Sequence, residues 1–281
     1  MMNRIIILAT FVGLITIVGC SETQEVTEQQ NPSQWKFTQK IALEGIAPIG
    51  IVAQGNFLWL SDVDHNRILK IDTKGAILEE YAGFERPMHI ALYENKLFIP
   101  EYTSDTVRIL ENGHISTYPL AEQPNAISAV ATDGSTFAFA DFYNNRIILQ
   151  RGDEVTTIGK EGHNDGELYY PTDVSFHNDL IYVADAYNNR VQVFDKHGKY
   201  VNMIGWNEGI NVATGLKVTD TQVIVADFEG NRTLVYDHDG KLLQTLTQNF
   251  NKPTDIEIIG NTMYVINYAG NDMAVFELVA E

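Results

Sequence analysis

Short apolar runs alternate with polar turns along most of the chain. The runs are five or six residues long, as β-strands are, and no segment shows sustained helical periodicity. Six of these runs end in an acidic residue or its amide, and they are 57–62, 97–101, 137–141, 180–185, 223–227 and 263–267. Their last residues are 39, 40, 44, 42 and 40 positions apart. The pattern therefore predicts an all-β protein with a repeat of about forty residues.

A polar turn with the spacing D-x-x-x-N-R follows four of the six runs. Its acid and arginine pairs are Asp62 with Arg67, Asp141 with Arg146, Asp185 with Arg190, and Asp227 with Arg232. Glu101 and Asn267 begin degenerate turns in the second and sixth repeats. Because the motif recurs, a structural role is favoured over a catalytic one. We expect the Asp to accept hydrogen bonds from turn amides and the Arg to bridge to a neighbouring repeat.

The start of each repeat carries a further signal. A proline opens five repeats and Ala213 takes its place in another, the prolines being Pro48, Pro87, Pro124, Pro171 and Pro253. The stretch 171–195, with its I-Y-V-A-D-A-Y-N-N-R-V-Q-V-F-D, closely resembles an NHL repeat, and the glycine-rich 162–168 resembles that family's insertion. The resemblance covers about 48–278. It implies a six-bladed β-propeller of four-stranded antiparallel blades, and it does not specify a function.

The two ends of the chain suggest how the ring closes. The sixth repeat runs out of chain after its third strand, 273–278. The segment 36–43 precedes the first repeat and is typical of a strand, because Phe37, Ile41 and Leu43 share one parity. We predict that this strand completes the sixth blade as its outer strand and so closes the ring. The propeller is expected to span 35–281 and to be a monomer.

The N-terminus has the features of a lipoprotein signal. A weakly basic start is followed by the apolar stretch 5–18, and Ile17-Val18-Gly19-Cys20 resembles the bacterial lipobox. Residues 1–19 are predicted to be the signal peptide, and 20–34 an acylated cysteine with a disordered polar tether. Acylation of Cys20 would anchor the exported protein to a membrane, and Ser21 favours the outer membrane in a Gram-negative cell. An ordinary signal or anchor with an incidental cysteine is the alternative.

Composition narrows the range of partners. The chain has 37 Asp and Glu against 19 Lys and Arg, a formal net charge of -18, which disfavours nucleic acid and anionic lipid surfaces. Cys20 is the single cysteine, so no disulfide forms within the chain. Phe142, Tyr143 and Tyr187 fall in predicted turns, where they could stack on sugars or peptides or pack between blades.

At the position two residues after each proline, or its equivalent, small and polar residues alternate from one repeat to the next. We call these six equivalent positions the column, and they are Gly50, His89, Ala126, Asp173, Gly215 and Asp255. The first strand of each blade is innermost, so His89, Asp173 and Asp255 should approach the axis about a third of a turn apart. One imidazole and two carboxylates suit a shared divalent metal or an acid–base cluster. The alternative is that each Asp caps its own turn and His89 packs in the channel wall.

Comparison with propeller enzymes separates two functions. Directly after the prolines stand Ile49, Met88, Asn125, Thr172, Thr214 and Thr254. Amidating lyases that resemble NHL propellers carry zinc-binding histidines there, so that chemistry is disfavoured. Asn125, Asp173 and Asp255 are of the type that gluconolactonase-like propellers use to hold calcium.

No nucleophile elbow, P-loop, dinucleotide fingerprint or HExxH motif is present in the sequence. The sequence therefore favours an envelope module that binds or scaffolds a protein, peptide or glycan. A hydrolase or lyase dependent on calcium or zinc is the alternative. Its site would lie at the channel mouth on the side of the D-x-x-x-N-R turns. A divalent metal in the channel is the one cofactor that the sequence suggests.

Overall fold

Six antiparallel sheets of four strands make up residues 33–280, the part of the chain that this computed structural model describes. Blade one consists of β2 (Pro48–Gln54), β3 (Phe57–Asp62), β4 (Arg67–Asp72) and β5 (Ile77–Ala82). Blade two consists of β6 (Ala91–Tyr93), β7 (Lys96–Glu101), β8 (Thr106–Glu111) and β9 (His114–Thr117). Blade three consists of β10 (Ile127–Thr132), β11 (Phe137–Asp141), β12 (Arg146–Arg151) and β13 (Glu154–Ile158). Blades four and five consist of β14 (Pro171–His177), β15 (Leu180–Asp185), β16 (Arg190–Asp195), β17 (Tyr200–Ile204); and β18 (Ala213–Val218), β19 (Val223–Asp227), β20 (Arg232–Tyr236), β21 (Leu242–Leu246). Blade six consists of β22 (Pro253–Ile259), β23 (Thr262–Asn267), β24 (Asp272–Val279) and, from the other end of the chain, β1 (Gln34–Ala42).

The blades form a closed ring. The first strands of the blades contact one another in the order β2, β6, β10, β14, β18, β22 and back to β2. A short 3-10 turn, Ala186–Asn188, is the one helical element among the described residues. Within 33–280 no helix is long and apolar enough to span a bilayer. The predicted six-bladed, all-β propeller is confirmed.

Strand β1 closes the ring as predicted. It lies antiparallel to β24, from Gln34 opposite Val279 to Ala42 opposite Asp272. Trp35 of this strand is buried, and its indole N–H donates to Gln222 Oε1 in blade five at 2.9 Å. The first and last strands of the propeller are thus held together in one sheet, and a side-chain contact joins the first strand to blade five.

The hydrophobic core lies between blades rather than within one. One buried cluster, for example, joins Tyr182 and Val191 of blade four to Leu216 and Val225 of blade five. A four-stranded sheet has two apolar faces, and each face is covered by the next sheet in the ring. This explains why the second strands are apolar at almost every position instead of alternating.

The innermost strands begin with a register shift that the sequence does not reveal. It falls directly after the first residue of the strand, as between Pro171 and Asp173 in β14, and recurs in β2, β10, β18 and β22. A bulge of this kind re-aims the side chain of the extra residue. In β10, β14, β18 and β22 that residue is Ser128, Thr172, Thr214 or Thr254, whose hydroxyl points to the next blade.

A belt of hydroxyl groups links the innermost strands around the axis. Each hydroxyl donates to the carbonyl oxygen that opens the next blade, the pairs being Ser128 with Pro171, Thr172 with Ala213, Thr214 with Pro253, and Thr254 with Pro48, at 2.8 to 3.1 Å. Ser61 Oγ donates to the Met88 carbonyl oxygen between blades one and two. The backbone of His89 bonds to that of Ser128 and Val130 between blades two and three. The six junctions are therefore all bridged.

Blade three corrects the predicted alignment. Ile127, not Pro124, pairs with the strand-end acid Asp141, as Pro171 pairs with Asp185 in blade four. Three extra residues in the preceding link displace the proline from the start of the strand. The position directly after the first residue of the strand is therefore Ser128 and not Asn125. The position two after that first residue is Ala129 and not Ala126.

The recurring acid and arginine tie each second strand to the loops around it. Arg Nε donates to Asp Oδ2 in all four pairs, Asp62 with Arg67, Asp141 with Arg146, Asp185 with Arg190, and Asp227 with Arg232, at 2.7 to 2.8 Å. The other carboxylate oxygen accepts a backbone N–H from the link before the blade, such as that of Tyr169 to Asp185. Arg232 also donates to carbonyl oxygens of that link.

Candidate functional site

Three ionisable side chains meet on the axis of the propeller. His89 lies just before β6, Asp173 is the third residue of β14, and Asp255 is the third of β22. These strands belong to alternate blades, and the ligating atoms of the three residues all lie within 4.8 Å of one another. The residues are only 4%, 7% and 6% exposed. The structure thus brings together the imidazole and both carboxylates of the predicted column.

Small residues in the other three blades make this approach possible. An added Cβ on Gly215 would lie 2.2 Å from the carbonyl oxygen of Thr254, and one on Gly50 would lie 2.7 Å from that of Met88. Real Cβ atoms do not come so close to backbone, so blades one and five need glycine where the even blades place a polar side chain. The third such position is occupied by the buried Ala129.

Each carboxylate also joins two blades. Asp173 accepts the N–H of Val174 on Oδ1 and that of Leu216, in blade five, on Oδ2, at 2.8 and 2.7 Å. Asp255 Oδ1 likewise accepts the N–H of Ile256, and its Oδ2 accepts that of Ile51 in blade one. The predicted capping by each Asp is thus observed, and it leaves each oxygen a second lone pair for another partner.

His89 is less well satisfied. Its Nδ1 lies 3.4 Å from Asp255 Oδ2, which is within ion-pair distance if the imidazole is protonated but is not a hydrogen bond. Nδ1 is buried and has no hydrogen-bond partner among the described residues. A buried polar atom without a partner is costly, and it marks a place where an ion, a water or a ligand atom would be stabilised.

Burial and mutual charge determine how the cluster ionises. Burial is the main influence on Asp173, and together with the nearby Asp255 charge it outweighs His89 and the backbone donors, raising the pKa of Asp173 to about 7. For His89, burial lowers the pKa, but the Asp173 charge and the adjacent Asp255 carboxylate outweigh it and raise the pKa overall. Asp173 therefore exchanges its proton near neutral pH, and the charge on His89 influences that exchange.

A cavity of about 190 Å³ adjoins the cluster. Its wall is formed by the innermost strands, from the cluster to the turns that lead into the second strands. The wall includes the apolar Val52 and Phe176 and the hydroxyl of Ser175. Lys217 and Glu257 form an ion pair in the same wall. Glu257 also accepts the N–H groups of Ala53 and Ile258.

The cavity lies on the side of the turns between first and second strands. The sequence placed the site towards the D-x-x-x-N-R turns, on the opposite side, and this expectation is corrected. The physical reason is the hydroxyl belt, in which Thr172, Thr214 and Thr254 draw the innermost strands together on that side.

The remaining predicted residues fall outside this cluster. Asn125 is exposed in the link before β10, where its backbone N–H donates to Asp141 Oδ1. It therefore does not contribute to a calcium site with the two aspartates. Cys20 lies outside the described residues. The sequence analysis missed the Lys217–Glu257 pair, although both stand two positions after members of the column, which is the spacing of one strand face.

Comparison with known sequences agrees with the fold. A family described as "6-bladed beta-propeller" matches residues 141–256. The RING finger protein nhl-1 of Caenorhabditis elegans is 37% identical over 82 residues, and the protein lin-41 of the same organism is 45% identical over 49. The chain is a six-bladed propeller, and part of it is similar to NHL-repeat proteins. These matches cover 27% and 17% of the propeller chain, and only 8% and 4% of the two relatives.

Solved structures extend the similarity to the whole propeller. A virginiamycin B lyase from Staphylococcus aureus matches with a TM-score of 0.64 and 17% identity, over 87% of this chain and 88% of the lyase. A gluconolactonase from Xanthomonas campestris matches with a TM-score of 0.72 and 12% identity, over 90% and 99%. At these identities the similarity establishes the fold alone.

Proposed function

We propose that the central channel is a divalent-metal and ligand-binding site, and that the propeller is an exported, lipid-anchored binding module of the cell envelope. The observation that carries the proposal is the unpartnered, buried Nδ1 of His89 facing the carboxylates of Asp173 and Asp255. A cation at this point would satisfy the imidazole and relieve the repulsion between the two carboxylates.

The donor set narrows the choice of metal. One imidazole nitrogen with carboxylate oxygens suits Zn²⁺ or Mn²⁺, whereas Ca²⁺ prefers six to eight oxygen ligands. Ligands of a tetrahedral zinc ion lie about 3.4 Å apart, and the ligating atoms here lie within 4.8 Å of one another. A small inward shift of the side chains, or a bridging water, would allow the cluster to hold one ion. The channel residues His89, Asp173 and Asp255 would hold the metal, which would act as a Lewis acid towards a bound ligand.

The cavity sets limits on that ligand. Its volume of about 190 Å³ is enough for a small molecule or one side chain of a partner. Val52 and Phe176 would contact an apolar part, and Ser175 could accept or donate a hydrogen bond. Lys217 is the one basic side chain in the wall besides His89, and it would favour an anionic group on the ligand.

Metal titration tests the proposal. Calorimetry on the chelator-treated protein should show about one equivalent of Zn²⁺ or Mn²⁺ bound, and Asp173→Asn or His89→Gln should abolish it. Asp195→Asn is the matched control, because Asp195 also accepts two backbone N–H groups but lies in a surface turn. Equal binding by the control and channel variants, or no binding by the native protein, would refute a channel metal.

A metal-dependent lyase or hydrolase is the second candidate. The cluster supports it, because a metal held by three side chains leaves coordination positions open towards the cavity. The similar structures include a lyase and a gluconolactonase, so proteins of similar fold include enzymes. Assays of the metal-loaded protein against a lactone and a streptogramin B separate the candidates. Turnover that Asp173→Asn abolishes supports the enzyme, and tight binding without turnover supports the binding module.

A further inference from the structure

The two ends of the propeller carry different side chains. One end is formed by the loops from second to third strands, such as 142–145, and by the links between blades, such as 159–170. We call it the aromatic end, because its loops contain twelve Phe, Tyr or Trp residues while the turns at the opposite end contain none. Three of the twelve, Phe84, Tyr118 and Phe250, pack into the cores between blades, and the other nine lie outside those clusters.

Five aromatic residues of blades two to four form one surface patch, which we call the tyrosine cluster. It contains Tyr102, Phe142, Tyr143, Tyr170 and Tyr187. The ring centroids of Tyr102 and Tyr143 are 5.9 Å apart, those of Phe142 and Tyr170 4.9 Å, and those of Tyr170 and Tyr187 5.0 Å. Tyr143 and Tyr187 remain 50% and 56% exposed. Their neighbours hold these two rings in place while leaving them open to a partner.

Two rings at this end, those of Tyr102 and Phe228, already contact cations of the chain itself. The guanidinium of Arg86 lies 5.2 Å from the ring centroid of Tyr102, and the ammonium of Lys252 lies 5.0 Å from that of Phe228. Tyr143 and Tyr187 have no Lys or Arg over their rings within the described part of the chain. The two most exposed rings of the tyrosine cluster are thus available for the contact that Tyr102 and Phe228 make with cations of the chain itself.

The charge of the aromatic end favours a cation. Its loops hold ten acidic residues, namely Glu44, Asp64, Glu85, Asp105, Glu122, Glu161, Asp165, Glu167, Glu208 and Glu229. They hold three basic ones, Arg86, Lys160 and Lys252. An excess of one sign around exposed rings attracts the opposite charge and repels nucleic acid and other anions.

The N-terminal strand fixes where the rest of the chain leaves the propeller. Strand β1 starts at Gln34, opposite Val279, and this pair lies at the end remote from the tyrosine cluster. The described part of the chain therefore begins at the opposite end. Under the proposed anchor at Cys20, the aromatic end would be turned away from the membrane and be accessible to a soluble partner.

We propose that the tyrosine cluster binds a basic, extended segment of a partner protein, with Arg or Lys side chains placed over Tyr143 and Tyr187. A glycan would also stack on exposed tyrosines, but a neutral sugar would gain nothing from the surrounding carboxylates. The cation–ring contacts already present at this end, together with its acidic charge, favour the peptide. The site is distinct from the channel, which opens at the other end.

Binding of a labelled ten-residue peptide rich in Arg and Lys to the full-length protein tests this proposal. The native protein should bind it, with affinity falling as salt rises. The double variant Tyr143→Ala/Tyr187→Ala should lose about five- to thirtyfold in affinity, the value of two exposed cation–ring contacts. Tyr143→Phe/Tyr187→Phe should retain the affinity, because the ring faces remain.

Three controls make the result decisive. Phe57→Ala removes a 41% exposed ring outside the aromatic end and should leave the affinity unchanged. A peptide with Glu in place of Arg and Lys should not bind, nor should an N-acetylglucosamine oligosaccharide. The proposal is overturned by no binding of the basic peptide, by equal loss in Phe57→Ala, or by oligosaccharide binding that depends on Tyr143 and Tyr187. Circular dichroism checks that each variant is folded.

Discussion

Asp173 shows how one side chain can serve both the fold and the site. Its two oxygens accept backbone N–H groups from blades four and five, while the same carboxylate lies beside His89 and Asp255. Burial is what raises its pKa to about 7, with the Asp255 charge adding to the effect. The stability of the metal-free protein should therefore depend on the protonation of this residue.

The first prediction concerns that dependence on pH. Between an ordinary aspartate pKa of 3.8 and about 7, folded Asp173 keeps a proton that the unfolded chain has released. Its contribution to the free energy of unfolding is therefore full below pH 3.8 and is lost as pH rises towards 7. Denaturant unfolding in a chelating buffer should show a decrease of a few kcal/mol between pH 5 and pH 8.

Asp173→Asn should flatten this decrease, because the amide does not titrate. Asp195→Asn should leave it in place, since backbone donors from Lys199 and His197 lower the pKa of Asp195 and it is already ionised over this range. An unchanged pH dependence in Asp173→Asn would show that the aspartate does not govern it.

At this scale the sequence predicts residue types better than positions. The alternation of small and polar residues identifies His89, Asp173 and Asp255, because three blades of six carry them at one place in the repeat. It misplaces Asn125, because three extra residues in a link move a proline away from the strand that it seems to open. Which way a side chain points depends on the bulge at the start of the strand, and periodicity does not encode it.

Among the elements, the innermost strands depend on contacts between blades. The hydroxyl of Thr254 donates to the Pro48 carbonyl oxygen across the junction of blades six and one. Thr254→Val keeps the shape and removes the donor, so the free energy of unfolding should fall by about 1–2 kcal/mol. Thr254→Ser keeps the hydroxyl and is the control. Equal losses from Val and Ser in chemical denaturation would point to lost methyl packing instead.

Strand β1 allows a second prediction at this scale. Deleting 21–43 removes the strand, exposes the edge of β24 and leaves out the buried Trp35, whose loss alone costs about 3–5 kcal/mol. We expect aggregation or a large fall in melting temperature. Deleting only 21–33 spares the strand and should change little. Equal melting temperatures for the two truncations would contradict closure through β1.

The order of strands follows from the sequence more fully than their register does. Six apolar runs about forty residues apart, each followed by a polar turn, require stacked four-stranded units, and the missing outer strand of blade six has one candidate in 36–43. The register shifts after Pro48, Pro171 and Pro253 could not be predicted, because they arise when neighbouring innermost strands pack around a common axis.

The whole molecule is a closed ring with a polar centre and two dissimilar ends. The proposed lipid anchor at Cys20 lies outside the described residues, and it is inferred from the lipobox-like sequence around this cysteine. Metabolic labelling with a palmitate analogue should mark the native protein in the membrane fraction. Cys20→Ala should abolish the label, and Ser21→Ala should not. Undiminished labelling of Cys20→Ala would exclude acylation at this residue.

The central claim is that the channel holds a divalent cation between His89, Asp173 and Asp255. Anomalous diffraction from crystals grown with Zn²⁺ or Mn²⁺ tests it most directly, because it locates the metal without assuming a function. The account predicts one strong anomalous peak on the propeller axis, about 2.0–2.2 Å from a His89 nitrogen and from at least one carboxylate oxygen. It is contradicted by an axis without such a peak, in which the His89 imidazole hydrogen-bonds directly to the Asp255 carboxylate.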